Sequence, residues 1–320
     1  NIDLKNKNKE FEDKLFYSYE IIGNSKNTLS IKDQIDKISI SESRIFINGP
    51  TGSGKELIAR KIHKQSKRQD GPFVILNGAL LDIEKYELEL FGEEKDNGEI
   101  SYGALEKATS GILLIDEVAE IPLKTQSKIL RVLIDQKFKR TKGSHDIKVD
   151  VRIICSSSKD IKKEIELGNF REDLYHRLNV FEINIDPLNK RTSDIPLLVK
   201  YFSEKISSSY NLKKLAIDTD NRYLLNYEWP GNVRELRNLI ERIAILSPDT
   251  KDKISNIIKE SLKTPDIYIS ESENSLSVPL KEARENFEKE YLITQLKKFN
   301  GNISKTADFI GMERSALYRK

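Results

Sequence analysis

The segment GPTGSGKE (49–56) constrains this chain more than any other. It follows the apolar run RIFING (44–49) and opens a helical pattern from Glu56 to Gln65, so it must be a tight turn between a buried strand and a helix. Gly49, Gly54 and Lys55 stand at the GxxxxGK spacing of a phosphate-binding loop. Glycines let successive backbone amides turn inward, the helix N-terminus adds positive potential, and the lysine reaches the outer phosphates. The expected cradle is therefore Gly49, Pro50, Thr51, Gly52, Ser53, Gly54, Lys55 and Glu56. Glu56 departs from the pattern, in which Ser or Thr binds magnesium. The competing reading is an ordinary glycine-rich strand–helix turn.

Four more apolar bursts, FVILN (73–77), ILLID (112–116), VRIIC (151–155) and VFEINI (180–185), alternate with helical stretches such as 123–137. That alternation predicts a five-stranded parallel sheet covered on both faces. The third burst ends in Asp116-Glu117, which places two carboxylates at the sheet's carboxyl edge, where ligands of α/β proteins bind. Asp116 is expected to hold Mg²⁺ and Glu117 to polarise an attacking water. From 188 to 262 the strands stop, and helices are expected at 194–209, 219–226 and 232–246. Residues 1–19 read as a connecting helix, 263–279 as a polar linker, and 280–320 as a last helical unit.

Composition excludes several classes. Fifty-four basic and 51 acidic residues leave only +3, so bulk charge does not demand a polyanionic partner. No apolar run approaches the roughly 18 residues of a membrane span, and the start has no secretory core. Cys155 is the one cysteine, which rules out an internal disulfide framework and fits the cytoplasm. His63, His145 and His176 lack metal-ligand spacing, so no zinc enzyme is expected. The only methionine is Met312, so a segment upstream is expected.

GPTGSGKE, ELFGEEK (89–95), GILLIDE (111–117), VDVRIICSSS (149–158), FREDLYHRLNV (170–180) and WPGNVRELRN (229–238), in that order, resemble the AAA+ domain of bacterial sigma-54-dependent activators. The resemblance implies an α/β AAA+ P-loop domain over 20–187, an α-helical lid over 188–262, and ATP with Mg²⁺ as ligands. It makes Lys55 the phosphate contact and Glu56 the usual residue at its place. Asn77 resembles the switch asparagine that restrains the catalytic glutamate, Glu117. Arg171 and Arg177 resemble arginine fingers reaching ATP in a neighbouring subunit, which implies self-assembly into a ring. On one helix their spacing sets them about 120° apart, so they do not form a single clamp. Arg234 resembles the second sensor. At the first sensor, usually Thr-Asn, Ser157 keeps a hydroxyl and Ser158 loses the amide.

Between ELFG (89–92) and GALE (103–106) such activators carry GAFTGA. Here EEKDNGEISY (93–102) contains no Thr and one aromatic, Tyr102, and FGEEKDNGEISYGALEKA (91–108) reads as a helix–turn–helix with Asn97-Gly98 as the turn. Ordinary sigma-54 activation is not expected, and RNA polymerase is left open as a partner. Residues 280–299 form an amphipathic pattern. NGN (300–302) follows, and then a helix, Gly311 and a second helix resemble a Fis-type helix-turn-helix. Candidate contacts to double-stranded DNA are Ser304, Lys305, Arg314, Ser315, Tyr318 and Arg319. Without GAFTGA, and with this ending, the chain resembles the NtrX branch of nitrogen-regulation response regulators. In that branch a receiver domain precedes the core and a sensor histidine kinase supplies the phosphoryl group.

Overall fold

The computed structural model describes residues 20–80, 85–96, 98–209, 215, 217–246, 251–262, 289, 292 and 303–312. The expected connecting helix at 1–19, the linker at 263–279 and nearly all of 280–299 lie outside them. The chain divides into two compact units at Leu262–Lys263.

In chain order the strands of the first unit are β1 (Ile45–Asn48), β2 (Phe73–Asn77), β3 (Gly92–Glu94), β4 (Ile100–Tyr102), β5 (Ile112–Asp116), β6 (Lys137–Phe138), β7 (Ile147–Lys148), β8 (Arg152–Ser157) and β9 (Phe181–Asn184). Five of them form the expected parallel sheet, in the order β2-β5-β8-β1-β9. Alternation of side chains across a strand builds its two cores. Phe46, Leu113, Ile115, Ile153 and Cys155 face the helices Tyr86–Phe91, Leu123–Asp135 and Glu172–Leu178. Ile45, Ile47, Ile112, Leu114 and Ile154 face Lys26–Ile38 and Lys55–Gln65. The chain leaves β1 for the far edge at β2, whereas β8 leads to β9 on the other side of β1. The winding reverses there, so the carboxyl end of β1 opens into the crevice where such sheets bind ligands.

The lid follows as helices Ile195–Ser209, Arg222–Asn226, Asn232–Leu246 and Lys251–Ser261, packed around Trp229, which is 1% exposed and donates its indole N–H to the Leu224 carbonyl at 2.9 Å. The lid meets the phosphate loop at its backbone. The Asn232 amide donates to the Thr51 carbonyl at 3.0 Å, and the Arg234 N–H donates to the Gly52 carbonyl at 3.2 Å. Gly52, at φ +77°, permits this approach, since a Cβ there would lie 2.2 Å from the Gly231 carbonyl oxygen.

The segment at 91–108 corrects the sequence reading. It is not a helix–turn–helix: it holds an antiparallel hairpin, with Gly92 opposite Tyr102 and Glu94 opposite Ile100, followed by the helix Ala104–Lys107. The turn runs through Gly98 at φ +80°, a conformation glycine adopts freely. The outer edge of β3 is satisfied by a second hairpin, β6–β7, which the sequence did not announce. Thr141 donates to the Gly92 carbonyl and accepts from the Glu94 N–H, each at 3.0 Å. Side chains complete the clasp. Arg140 grips Glu106 through two bonds of 2.9 and 2.6 Å and lies over the Tyr102 ring, while Lys142 pairs with Glu93 at 2.7 Å.

In the second unit the helix Ile303–Ile310 is present, and its Ala307 is buried against Leu292, Ile303, Ile310 and Met312. Gly311 takes φ +72°, as the turn was expected to require, and the Met312 N–H closes on the Ala307 carbonyl at 3.1 Å.

Candidate functional site

The phosphate loop leaves β1 at Gly49 and enters the helix Lys55–Gln65 through Gly54, whose left-handed φ of +109° caps the helix. A Cβ at Gly54 would meet nothing within 4 Å, so the loop borders open space at that point. The Ser53 N–H closes on the Pro50 carbonyl at 3.1 Å, and the Ser53 hydroxyl is buried without a partner among the described residues. Lys55 is only 7% exposed. Its ammonium donates to the Gly49 carbonyl at 2.9 Å and pairs with Glu117 Oε1 at 3.0 Å. Glu56 turns outward to Arg60 at 2.8 Å, one helical turn on.

The acid pair sits directly beneath. Glu117 holds a left-handed backbone, φ +53°, and its Oε2 accepts from both the N–H and the hydroxyl of Ser158, each at 2.8 Å. Burial alone would raise this carboxyl. The Ser158 N–H, the Lys55 ammonium and the Ser158 hydroxyl outweigh burial and hold it below the usual carboxylate range. Asp116 accepts from the Ser156 hydroxyl and, at 3.3 Å, from the Asn77 amide.

Two of the expected residues touch other groups in this structure. Asn77 contacts Asp116, its partner in the β2–β5 register, and not Glu117. Ser157 spends its hydroxyl on the Lys159 backbone, at 2.9 and 3.1 Å, because its side chain points into its own turn. Ser156 and Ser158, neither singled out from the sequence, are the hydroxyls that touch the acids.

Arg171 and Arg177 occupy the helix Glu172–Leu178 differently from the spacing argument. Arg171 is its extended N-cap residue, so a helical wheel does not apply to it. Its guanidinium pairs with Asp173 at 2.7 Å and donates to the Ser127 hydroxyl at 3.1 Å. Arg177 is exposed near the other end. Arg234 is exposed on the lid with its Cβ against Gly52. Of the expected DNA contacts, Lys305 is exposed on Ile303–Ile310. The side chain of Ser304, and Arg314, Ser315, Tyr318 and Arg319, lie outside the described residues.

A cavity of about 350 Å³ adjoins the loop, walled by Ile21, Ile22, Leu198, Phe202, Ile206 and Val233 from the entering segment and the lid. Its apolar wall beside a polar cradle matches the build of a small-ligand pocket. Among the described residues no cluster of three His, Cys, Asp or Glu could hold a metal, and no helix is long and apolar enough to cross a membrane. A magnesium ion bound through substrate phosphates needs only one or two carboxylates.

Family models place these features. A sigma-54 interaction domain matches residues 21–184, an AAA+ ATPase lid domain 189–267, and a Fis-family bacterial regulatory domain 283–320. The nitrogen assimilation regulatory protein NtrX of Azorhizobium caulinodans is 45% identical over 312 residues, covering 94% of this chain and 68% of the relative. The chain belongs to the NtrX-like response regulators, a family of transcriptional regulators. Crystal structures of NtrX from Brucella abortus resemble it along nearly its whole length. The complex with ADP gives TM-score 0.76 at 44% identity, and the complex with ATP gives 0.74 at 45%. Each match covers 99% of this chain and 71% of the other.

Proposed function

We propose that this NtrX-like regulator binds ATP with Mg²⁺ at the 49–56 loop and controls transcription by occupying double-stranded DNA as a self-assembled oligomer. The Lys55–Glu117 pair, set under an open glycine cradle and beside an apolar cavity, carries the nucleotide half of this reading. The unpartnered Ser53 hydroxyl and the open space at Gly54 support the fit of a phosphate chain. The crystallised Brucella NtrX complexes with ADP and ATP support it independently.

In this reading Lys55 exchanges Glu117 for the outer phosphates, and the loop amides from Thr51 to Glu56 orient them. Asp116 would hold Mg²⁺, which would neutralise phosphate charge. Glu117, freed from Lys55, orients and polarises water. Asn77 and Ser156 hold Asp116, and Ser158 holds Glu117. Arg171 and Arg177 serve the site of a neighbouring copy, and Arg234 reports on the phosphates from the lid. Domain boundaries fall at 187/188, 262/263 and 279/280. The C-terminal unit carries DNA contacts at Ser304, Lys305, Arg314, Ser315, Tyr318 and Arg319. A sensor histidine kinase, acting through a receiver domain, is the upstream partner, and the cytoplasm is the location.

A second reading, a sigma-54-remodelling ATPase, is favoured by the sigma-54 interaction domain match over 21–184. The clasped hairpin at 92–102, without a threonine, argues against it. Open-complex formation at a sigma-54 promoter separates the two, and clear stimulation would favour the second.

The deciding experiment is ATP turnover against protein concentration, with and without Glu117→Gln. Turnover that rises steeply with concentration and vanishes in the variant supports shared sites in an assembly. Saturable ATP binding without turnover leaves nucleotide as a ligand for assembly. Absence of nucleotide binding overturns the proposal.

A further inference from the structure

We propose that Arg191, held in place by Asp194, is a positioning residue for the phosphate loop, and that through this pair the chain segment entering at Glu20 is tied to that loop. The inference rests on the ATP reading of the site.

Arg191 follows the short turn Leu188–Lys190 at the root of the lid and is 7% exposed. One terminal nitrogen donates to the Ser53 carbonyl at 3.1 Å, in the middle of the loop. The other lies 3.9 Å from an Asp194 oxygen, a Coulombic contact longer than a hydrogen bond. The Nε–H has no partner among the described residues, and Arg191 lines the same cavity as Ser53 and Gly54. A guanidinium so deeply buried and so incompletely bonded is costly. Burial pulls it below its ordinary pKa, against the opposing charges of Asp194 and Asp186. A neutral residue would fill the same space at lower cost if packing were its only role. What the guanidinium uniquely supplies is a planar fork able to reach a loop carbonyl and a carboxylate together.

Asp194 is fully buried and gathers the entering segment. Its Oδ1 accepts the N–H groups of Asn24 and Ser25, both at 2.7 Å. Its Oδ2 accepts the hydroxyls of Ser25 and Thr28 at 2.8 and 2.6 Å. Gly23 makes this wrap possible. It sits at φ +143°, and a Cβ there would stand 2.5 Å from the Asp194 carboxylate carbon. Lys32 fixes the Gly23 carbonyl from the other side at 2.8 Å. Ile21 and Ile22, just upstream, wall the cavity. A continuous series of contacts therefore runs from the Ser53 carbonyl through Arg191 and Asp194 to residues 23–28.

The test is calorimetric titration of the full chain with ADP and, separately, with AMP. The loop acts on the outer phosphate, so a loosened loop should erode the preference for ADP over AMP, whereas a merely opened cavity would weaken both alike. Arg191→Gln should lower the ADP/AMP affinity ratio about tenfold, the effect of one lost charge-assisted hydrogen bond. Arg191→Lys should restore part of it. Gly23→Ala touches no ligand, yet should lower the same ratio by displacing Asp194. If Arg191→Gln does not fold, Arg191→Lys and Gly23→Ala carry the test. Wild-type ratios in these variants would overturn the inference while leaving the ATP reading intact. Failure of the wild-type chain to bind ADP would overturn both.

Discussion

Lys55 and Glu117 form a pair whose two members need each other. A lysine 7% exposed and a half-buried glutamate are each unfavourable alone, and a 3.0 Å contact satisfies both. Because the folded Glu117 pKa lies below its unfolded value of about 4.3, its stabilisation is full above that pH and is lost as the pH falls through the folded value. Lys55→Ala removes the cation but leaves the Ser158 bonds. It is expected to destabilise the chain by about 1.5–3 kcal/mol at pH 7. The gap in melting temperature between wild type and variant should narrow below about pH 4 as Glu117 protonates in both. A gap that stays constant from pH 7 to pH 3 would show that the pair contributes nothing. The identities of both residues were legible in the sequence because glycine spacing and a strand-terminal acid are local patterns. Which hydroxyl meets which carboxylate was not. Ser156, Ser157 and Ser158 look alike in one dimension, and only the pleat of β8 and the turn after it separate their directions.

At the scale of elements, the strands of the main sheet could be read because each is a short apolar run bounded by turn residues. The hairpin β3–β4 could not. Glu93, Glu94, Ile100 and Tyr102 offer too little apolar surface to define a strand on their own, and a two-stranded hairpin is marginal by itself. What stabilises it is remote in sequence: Thr141 on its open edge and Arg140 reaching Glu106 and Tyr102. Arg140 and Glu106 are both largely buried, at 13% and 12% side-chain exposure, so this pair is worth more than a surface ion pair. Arg140→Ala should cost about 1.5–3 kcal/mol by urea unfolding. It should also speed amide exchange at Glu94 and Thr141 before the main sheet is affected. Unchanged exchange at those two amides would mean that backbone pairing alone holds the hairpins.

On the proposed reading, assembly is the property of the whole molecule that a single chain leaves to its neighbours. Arg171 is drawn to Asp173 and Ser127 on its own surface, an exposed arrangement that a neighbouring phosphate can replace. Arg171→Ala is therefore expected to leave ATP affinity within about twofold, since an exposed pair contributes little. Turnover should fall by about 10³-fold or more if hydrolysis is shared between subunits. Equal turnover in variant and wild type would remove Arg171 from the site. Sequence alone determined the sheet, the loop, the acid pair, the lid and the Gly311 turn, because each rests on periodicity, glycine placement or residue type within a few positions. Tertiary structure decided the rest. It put Asn77 on Asp116, Ser158 on Glu117, Thr141 on β3, and Arg191 with Asp194 between the phosphate loop and residues 23–28. Each of these contacts joins groups far apart in the chain, and their pairing follows from strand order and pleat, which no local pattern encodes.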